Sequence, residues 1–169
     1  MTAKLLGIAG FKNAGKTTLT ERLVRELTAR GYRISTVKHA HHGFDIDQEG
    51  RDSWRHRQAG AGEVAVVSRK RWALVHELRA EEEPRLTDVV AKMAPCDLIL
   101  TEGYKSENHA KIEVRNVALG HPELALRDPS VIAIACNGAV KEAPVPVFDR
   151  DDVGAIADFI IARLELGPK

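Results

Sequence analysis

Apolar and polar positions along this chain follow two periods, which predict an alternation of strands and helices. Residues 5–9 form a short apolar run typical of a buried strand, and residues 19–27 then repeat leucine and valine at helical spacing until Gly31. A second strand is predicted at 33–38. These elements form a βαβ unit, whose two strands should be parallel and joined by a right-handed crossover.

The middle of the chain predicts a different motif. A short helix at 51–59 is followed by two strands at 63–67 and 72–78, which a basic turn joins. Two strands connected this closely predict an antiparallel hairpin, inserted at about 63–78. A further helix is expected at 86–93.

From residue 98 onward the chain returns to the α/β pattern. Residues 98–101 form the most apolar strand in the middle of the chain, and 131–135 form the last strongly apolar strand. Residues 111–115 alternate apolar and charged side chains, which suits an exposed or edge strand. A closing helix is expected after Asp152, in an acidic stretch that supplies N-cap oxygens. The whole pattern predicts one α/β domain over residues 1–169, with a mostly parallel central sheet and an appended hairpin.

A phosphate-binding motif lies between the first strand and the first helix. The stretch GFKNAGKTT at residues 10–18 fits G-x-x-x-x-G-K-[ST] in the context that the motif requires. Glycine at 10 and 15 lets backbone N–H groups surround phosphate oxygens, Lys16 adds a positive charge, and the Thr17 hydroxyl suits magnesium. The candidate ligand-binding residues are Gly10, Lys12, Asn13, Ala14, Gly15, Lys16, Thr17 and Thr18.

Carboxylates follow two of the predicted strands and are candidate magnesium ligands. Glu102 ends the most apolar strand, a position from which an acid is held rigidly at the ligand edge of such a sheet. We therefore assign Glu102 a catalytic or metal-binding role beside Lys16. Asp45 and Asp47 follow the second strand, where they either contribute to magnesium, directly or through water, or form an Asx turn in a surface loop.

Composition restricts the classes of partner. The chain has 169 residues, a net charge of +1 and 29% charged residues, so no overall charge draws it to nucleic acid or to an anionic membrane. Cys96 and Cys136 are far apart and belong to no C-x-x-C pair, which favours free thiols in a reducing compartment. Because the first strand starts close to Met1 and no apolar run reaches membrane-spanning length, we expect a cytoplasmic protein.

Three segments together resemble the MobB family of molybdopterin-guanine dinucleotide biosynthesis adapter proteins. They are the phosphate loop at 10–18, the histidine-rich stretch at 38–53, and residues 97–105, which end in Glu-Gly-Tyr-Lys. The resemblance covers nearly the whole chain and is weakest after about residue 115. It implies a three-layer P-loop NTPase-like fold, and a protein that binds GTP and Mg²⁺ with weak GTPase activity at most. It also implies a homodimer that assists a MobA-like guanylyltransferase, the enzyme that attaches GMP to molybdopterin to make the guanine dinucleotide form of the molybdenum cofactor.

The chain departs from common GTP-binding proteins in one respect, since it has no N-K-x-D guanine motif. The sequence therefore does not distinguish guanine from adenine. Asn137, at the end of the last apolar strand, is the candidate residue for contacting the base, with Asp149 as a further possibility.

Two other functions compete with the adapter. His39, His41 and His42, near two aspartates, could hold zinc or nickel, as in a metallochaperone-type GTPase. A small-molecule kinase would need a lid that carries arginines, which Arg51, Arg55 and Arg57 could imitate from a short helix.

Overall fold

Most elements of the fold lie where the apolar runs and the helical spacing predict them. The computed structural model describes residues 3–40, 43–140 and 142–169. In chain order its elements are β1 (Lys4–Ala9), α1 (Lys16–Ala29), β2 (Ile34–Lys38), α2 (Asp52–Gln58), β3 (Glu63–Val67), β4 (Trp72–His76), α3 (Leu86–Ala91), β5 (Leu98–Glu102), β6 (Lys111–Arg115), the 3₁₀ helix η1 (Val117–Leu119), β7 (Val131–Cys136), β8 (Val147–Asp149) and α4 (Val153–Arg163). The sequence did not predict η1 or β8.

Six strands form one sheet in the order β2-β5-β1-β6-β7-β8, and every neighbouring pair runs parallel. In the two strands beside β1, Glu102 and Ile112 lie opposite Ile8. The α/β class and the parallel sheet are therefore confirmed. Because the strands share one direction, the loops that follow β1, β2 and β5 all start at the same edge of the sheet, where ligands of open α/β sheets bind.

The chain divides into two compact units. The sheet unit comprises Met1–His41 and Ala94–Lys169, and the hairpin unit comprises His42–Met93. The prediction of one domain over residues 1–169 stays a prediction.

One face of the sheet packs against α1 and α4. Its core includes alternate residues of four strands and the apolar stripes of both helices: Leu6, Ile8, Leu98, Leu100, Ile112, Val114, Ala133, Ala135, Leu19, Leu23, Leu27, Ile156, Ala157 and Ile160. Removing each large aliphatic side chain from water contributes roughly 1.5–3 kcal/mol. The α4 helix starts as predicted, because the Asp152 side chain accepts a hydrogen bond from the Ala155 N–H at 3.0 Å.

β6 is an interior strand, so the prediction of an exposed or edge strand at 111–115 is wrong. It lies between β1 and β7, and its charged residues Lys111 and Glu113 are only 2% and 1% exposed. Buried charges of this kind are tolerated only when they are paired and hydrogen-bonded. The pattern of alternating charge therefore reflects protein contacts and not contact with water.

The charged side chains of β6 hold an irregular segment, residues 121–130, which we call the polar strap. Each of three alternate residues contacts it: Lys111 reaches Asp128 at 3.1 Å, Glu113 accepts from the Ala125 N–H at 2.8 Å, and Arg115 pairs with Glu123 at 2.8 Å. Alternate residues of a strand share a face. The face of β6 opposite α1 and α4 is therefore joined to the strap by polar contacts.

The connection from β5 to β6 crosses β1 without a helix. Its eight residues, 103–110, lead from the end of β5 to the start of β6 on the other side of β1. His109 lies against Gly7 of β1, and its Nε2 is 2.9 Å from the Thr101 hydroxyl. Burial lowers the pKa of His109, and the Lys111 ammonium lowers it further, so the ring favours its neutral form.

The hairpin unit confirms the appended antiparallel pair. In it, Glu63 lies opposite His76 and Val67 lies opposite Trp72. β4 ends at His76, two residues before the predicted end at 78. One side of the hairpin exposes apolar surface, since Val67, Trp72 and Leu74 are 75%, 70% and 49% exposed.

We expect Gly7→Ala to lower the free energy of unfolding by about 1–3 kcal/mol, the usual cost of overpacking a buried site. A Cβ at Gly7 would lie 2.9 Å from both His109 Nε2 and Lys111 Cγ. Urea unfolding followed by circular dichroism measures the change. Gly167→Ala is the matched control, because a Cβ there meets no atom within 4 Å. Equal stability of Gly7→Ala and the unsubstituted protein would contradict this packing.

Candidate functional site

The loop between β1 and α1 has the backbone conformation that its glycines permit. Gly10 has φ of 149°, and a Cβ there would lie 2.5 Å from the Val114 carbonyl oxygen. Gly15 has φ of 102°, and Asn13 is also left-handed, with φ of 64°. Residues with a side chain rarely adopt the φ angles of Gly10 and Gly15, so the backbone geometry requires glycine at both positions of the motif.

Lys16 is the first residue of α1, and its side chain turns back onto the loop. The ammonium donates a hydrogen bond to the Phe11 carbonyl at 2.8 Å. Burial lowers the pKa of Lys16, and the Lys105 and Lys38 ammonium groups lower it further, against the opposing effect of Glu102. No acidic residue occupies the first turn of α1. The positive end of the helix and the lysine charges thus favour an anion at this loop.

Arg150 closes the loop from the C-terminal part of the chain, a role that the sequence did not predict. Its Nη1 donates to the Ala14 carbonyl at 3.0 Å, and a Cβ on Gly15 would lie 2.9 Å from the same nitrogen. The sequence predicts a helix start and a candidate base contact, Asp149, in the stretch FDRDD at 148–152, and it predicts no role for Arg150. The one available signal was an arginine among acids, which does not identify a partner so distant in sequence.

Aromatic and cationic groups also surround Phe11 of the loop. The His121 ring stacks on Phe11 with centroids 4.5 Å apart, and the Lys105 ammonium lies 5.5 Å from the Phe11 centroid. Such a cation–π contact is worth about 0.5–1 kcal/mol at exposed sites. The other predicted loop positions Lys12, Asn13, Thr17 and Thr18 are exposed, so their side chains are accessible to a ligand.

Glu102 and Thr17 line one cavity of about 350 Å³, together with Thr20 and Lys38. Glu102 lies at the end of β5, opposite Lys38 of β2. The Thr20 hydroxyl lies 2.5 Å from Glu102 Oε1. A hydroxyl and a carboxylate are oxygen donors of the type that magnesium prefers, so the donor set of this cavity suits that ion.

Asp47, the third predicted magnesium ligand, lies in the hairpin unit with both carboxylate oxygens in hydrogen bonds. Oδ1 accepts from the Ser53 hydroxyl at 3.1 Å, and Oδ2 accepts from Arg57 Nε at 2.8 Å. Arg57 also pairs with Asp45 and Glu77, each at 2.7 Å. These three acids raise the pKa of Arg57. A magnesium role for Asp47 stays a prediction, and this network indicates a structural role for it.

Asn137 and Asp149, the candidate base contacts, both bond to nearby protein groups. The Asn137 side chain accepts from the Val117 N–H and donates to Asn116 Oδ1, each at 3.0 Å. Asp149 accepts from the Asp151 N–H at 2.8 Å. The structure brings Asn137 together with the turn after β6. Its predicted contact with a base stays a prediction.

The histidine-rich stretch is described only in part, because His41 and His42 lie outside the described residues. His39 follows β2, and its N–H donates to the Glu102 carbonyl at 2.8 Å. Its ring lies 5.3 Å from that of Tyr104. Among residues 3–40, 43–140 and 142–169, no group of three or more His, Cys, Asp or Glu side chains is placed to hold a metal ion. Within the same residues, no helix is long and apolar enough to cross a membrane.

Comparisons with known proteins agree on one family. The model of the family described as "Molybdopterin guanine dinucleotide synthesis protein B", MobB, matches residues 5–137. The "Molybdopterin-guanine dinucleotide biosynthesis adapter protein" of Escherichia coli is 41% identical over 164 residues, which cover 95% of this chain and 93% of that protein. The Haemophilus influenzae protein of the same description is 39% identical over 159 residues, which cover 92% of this chain and 86% of that protein.

A solved structure gives the same result for the fold. The crystal structure of "molybdopterin-guanine biosynthesis protein B (mobB)" has a TM-score of 0.75 and 29% sequence identity to this chain. The match covers 95% of this chain and 99% of that one. Similarity therefore extends over both the sequence and the arrangement of the elements.

Proposed function

The chain belongs to the molybdopterin guanine dinucleotide synthesis protein B (MobB) family, and we propose from this that it is a GTP-binding adapter in molybdenum cofactor biosynthesis. In this role it assists the conversion of molybdopterin to its guanine dinucleotide form. The observation that carries the proposal is the phosphate loop at the carboxyl edge of the sheet, in a chain whose relatives are named as adapter proteins of this biosynthesis.

The loop supports binding of a nucleotide through its phosphates. Gly10 and Gly15 allow the backbone to turn around an anion, and Lys16 supplies the charge. Thr17 and Glu102 would hold the magnesium ion, since they line the same cavity with oxygen donors. Magnesium would neutralise phosphate charge. We assign GTP on the family membership, with Asn137 as the proposed contact for the base.

We propose slow hydrolysis of GTP from the family membership. Lys16 and Glu102 are the proposed catalytic residues, which would stabilise phosphate charge and position the metal ion or a water molecule. Arg57, one of the three arginines that a kinase lid would use, has its guanidinium nitrogens bonded to Asp45, Asp47 and Glu77 within the hairpin unit. Weak GTPase activity at most fits an adapter better than a kinase.

The partner is proposed to be a MobA-like guanylyltransferase that carries molybdopterin. The proposal is supported by the relatives, which are named as adapter proteins of molybdopterin-guanine dinucleotide biosynthesis. We also propose a cytoplasmic location, in line with the two unbridged cysteines Cys96 and Cys136.

A homodimer is proposed through the exposed side of the hairpin. Val67 lies opposite Trp72, and Leu74 lies two residues further along β4 on the same face. All three side chains are exposed, and even Leu74, the least exposed of them, is 49% exposed. Contiguous exposed apolar surface is typical of association sites, and an isolated two-stranded hairpin is marginally stable by itself.

Lys16→Ala should abolish tight GTP binding, because removing a charge that contacts buried phosphate costs about 3–5 kcal/mol, or more than roughly 100-fold in affinity. Isothermal titration with GTP and magnesium measures the loss. Lys92→Ala removes an exposed lysine of the hairpin unit and is the control. Unchanged affinity in Lys16→Ala would refute the phosphate-loop assignment.

Adding the protein to a molybdopterin-loaded MobA-like guanylyltransferase should increase the yield of guanine dinucleotide cofactor. We expect little turnover of GTP or ATP by the protein alone, because its role is to assist the enzyme. Cofactor yield and nucleotide hydrolysis are followed together by chromatography. Rapid phosphoryl transfer from either nucleotide to a metabolite, without any effect on cofactor yield, would instead identify a kinase.

Leu74→Lys should convert the dimer to a monomer, because it places a charge within the exposed apolar face of the hairpin. Light scattering after size-exclusion chromatography measures the mass. Ala73→Lys adds the same charge on the other face of β4 and should leave the dimer intact. A monomeric unsubstituted protein, or loss of the dimer in both variants, would contradict this interface.

A further inference from the structure

Thr20 is a polar residue at a buried position of α1. It is 8% exposed, and it lies one turn after Lys16 among the buried leucines of the helix. Threonine is a poorer helix former than alanine or leucine, and its hydroxyl needs a partner when it is buried. The hydroxyl oxygen lies 2.5 Å from Glu102 Oε1 and 3.0 Å from the Lys16 carbonyl oxygen.

The single proton of this hydroxyl can be donated to only one of these acceptors at a time. An ionised carboxylate is the stronger acceptor, and hydrogen bonds to charged groups are shorter and stronger than neutral ones. The shorter of the two distances is the one to Glu102. The Thr20 hydroxyl therefore donates to the Glu102 carboxylate when that carboxylate is ionised.

The Lys16 ammonium donates its hydrogen bond to a backbone carbonyl and not to the Glu102 carboxylate. Lys16 Nζ donates to the Phe11 carbonyl at 2.8 Å, and of the described side chains only that of Thr20 donates a hydrogen bond to Glu102. Thr20 and Glu102 line the same cavity as Thr17. The Thr20 hydroxyl thus links the end of β5 to α1, the helix that follows the phosphate loop.

We propose that Thr20 is a positioning residue, whose hydroxyl fixes the Glu102 carboxylate beside α1 so that Glu102 can help to hold the magnesium ion of bound GTP. This inference rests on the proposed nucleotide function of the loop. Thr20 lies outside the G-x-x-x-x-G-K-[ST] motif, and its role follows from its contact with a strand 82 residues away.

The test measures binding of a fluorescent GTP analogue while magnesium chloride is added to protein that was first treated with EDTA. In Thr20→Val, the magnesium concentration that gives half of the full change in analogue binding should rise about tenfold, because one charge-assisted hydrogen bond is lost. Affinity for the analogue in EDTA should stay within about twofold, since Lys16 and the loop are unchanged. Thr20→Ala, which also lacks the hydroxyl, should give the same magnesium shift.

Three further variants separate positioning from packing. Thr20→Ser keeps the hydroxyl, so its magnesium concentration for half of the full change in analogue binding should stay within about twofold of that of the unsubstituted protein. Thr28→Val makes the same change at an exposed position of α1 and should have no effect. Adding Thr20→Val to Glu102→Gln should cause no further shift, because Thr20 acts through Glu102.

The outcomes distinguish this inference from the proposed function. If the unsubstituted protein does not bind the GTP analogue, the proposed function fails and the inference fails with it. If it binds, but Thr20→Val and Thr20→Ala keep the original magnesium requirement, the positioning role alone is refuted. A shift in Thr20→Ser as large as that in Thr20→Val would also refute it, because packing would then be the cause.

Discussion

The close approach of Gly10 to the Val114 carbonyl is the contact on which the site depends. A Cβ at Gly10 would lie only 2.5 Å from that oxygen, so the loop can leave β1 beside β6 only without a side chain at this position. The approach is possible because β1 lies between β5 and β6. The same placement puts Lys16 at the start of α1 near the acid that ends β5. Sheet order and loop chemistry are thus linked through one backbone contact.

The polar strap imposes a second constraint, on the face of the sheet away from α1 and α4. In the pair of Lys111 and Asp128, the lysine is buried and the aspartate is 33% exposed, and desolvation of the lysine offsets much of the attraction. Removing Asp128, in contrast, leaves the buried Lys111 charge without its acidic partner. The strap therefore specifies which segment covers β6 more than it adds to the free energy of folding.

Local signals predicted the parts of the fold whose causes are local. The βαβ unit, the hairpin and the cap of α4 at Asp152 were predictable because spacing and turn residues determine them. The position of Glu102 at the end of β5 was predictable for the same reason, since it follows an apolar run, and its magnesium role stays a prediction. The position of β6 was not, because its charged residues are buried by partners in the strap, and alternation alone does not distinguish a protein partner from water.

The contacts of Arg150 and Thr20 show the same limit within the site. Arg150 holds a carbonyl 136 residues earlier, and Thr20 bonds to an acid 82 residues later. Neither belongs to a local motif. Asp47 presented a related ambiguity, because an acid after a strand suits a metal ion as well as an arginine, and its partner Arg57 is ten residues further on.

The distance in sequence between Ala14 and Arg150 also matters while the chain is being made. The phosphate loop leaves the ribosome early, but β1 gains its neighbours only when β5 and β6 have been synthesised, and Arg150 follows later still. At about 5–20 residues per second, the 136 residues that separate Ala14 from Arg150 take roughly 7–27 s to translate. A nascent chain therefore carries the complete motif well before Arg150 can donate its hydrogen bond to the Ala14 carbonyl.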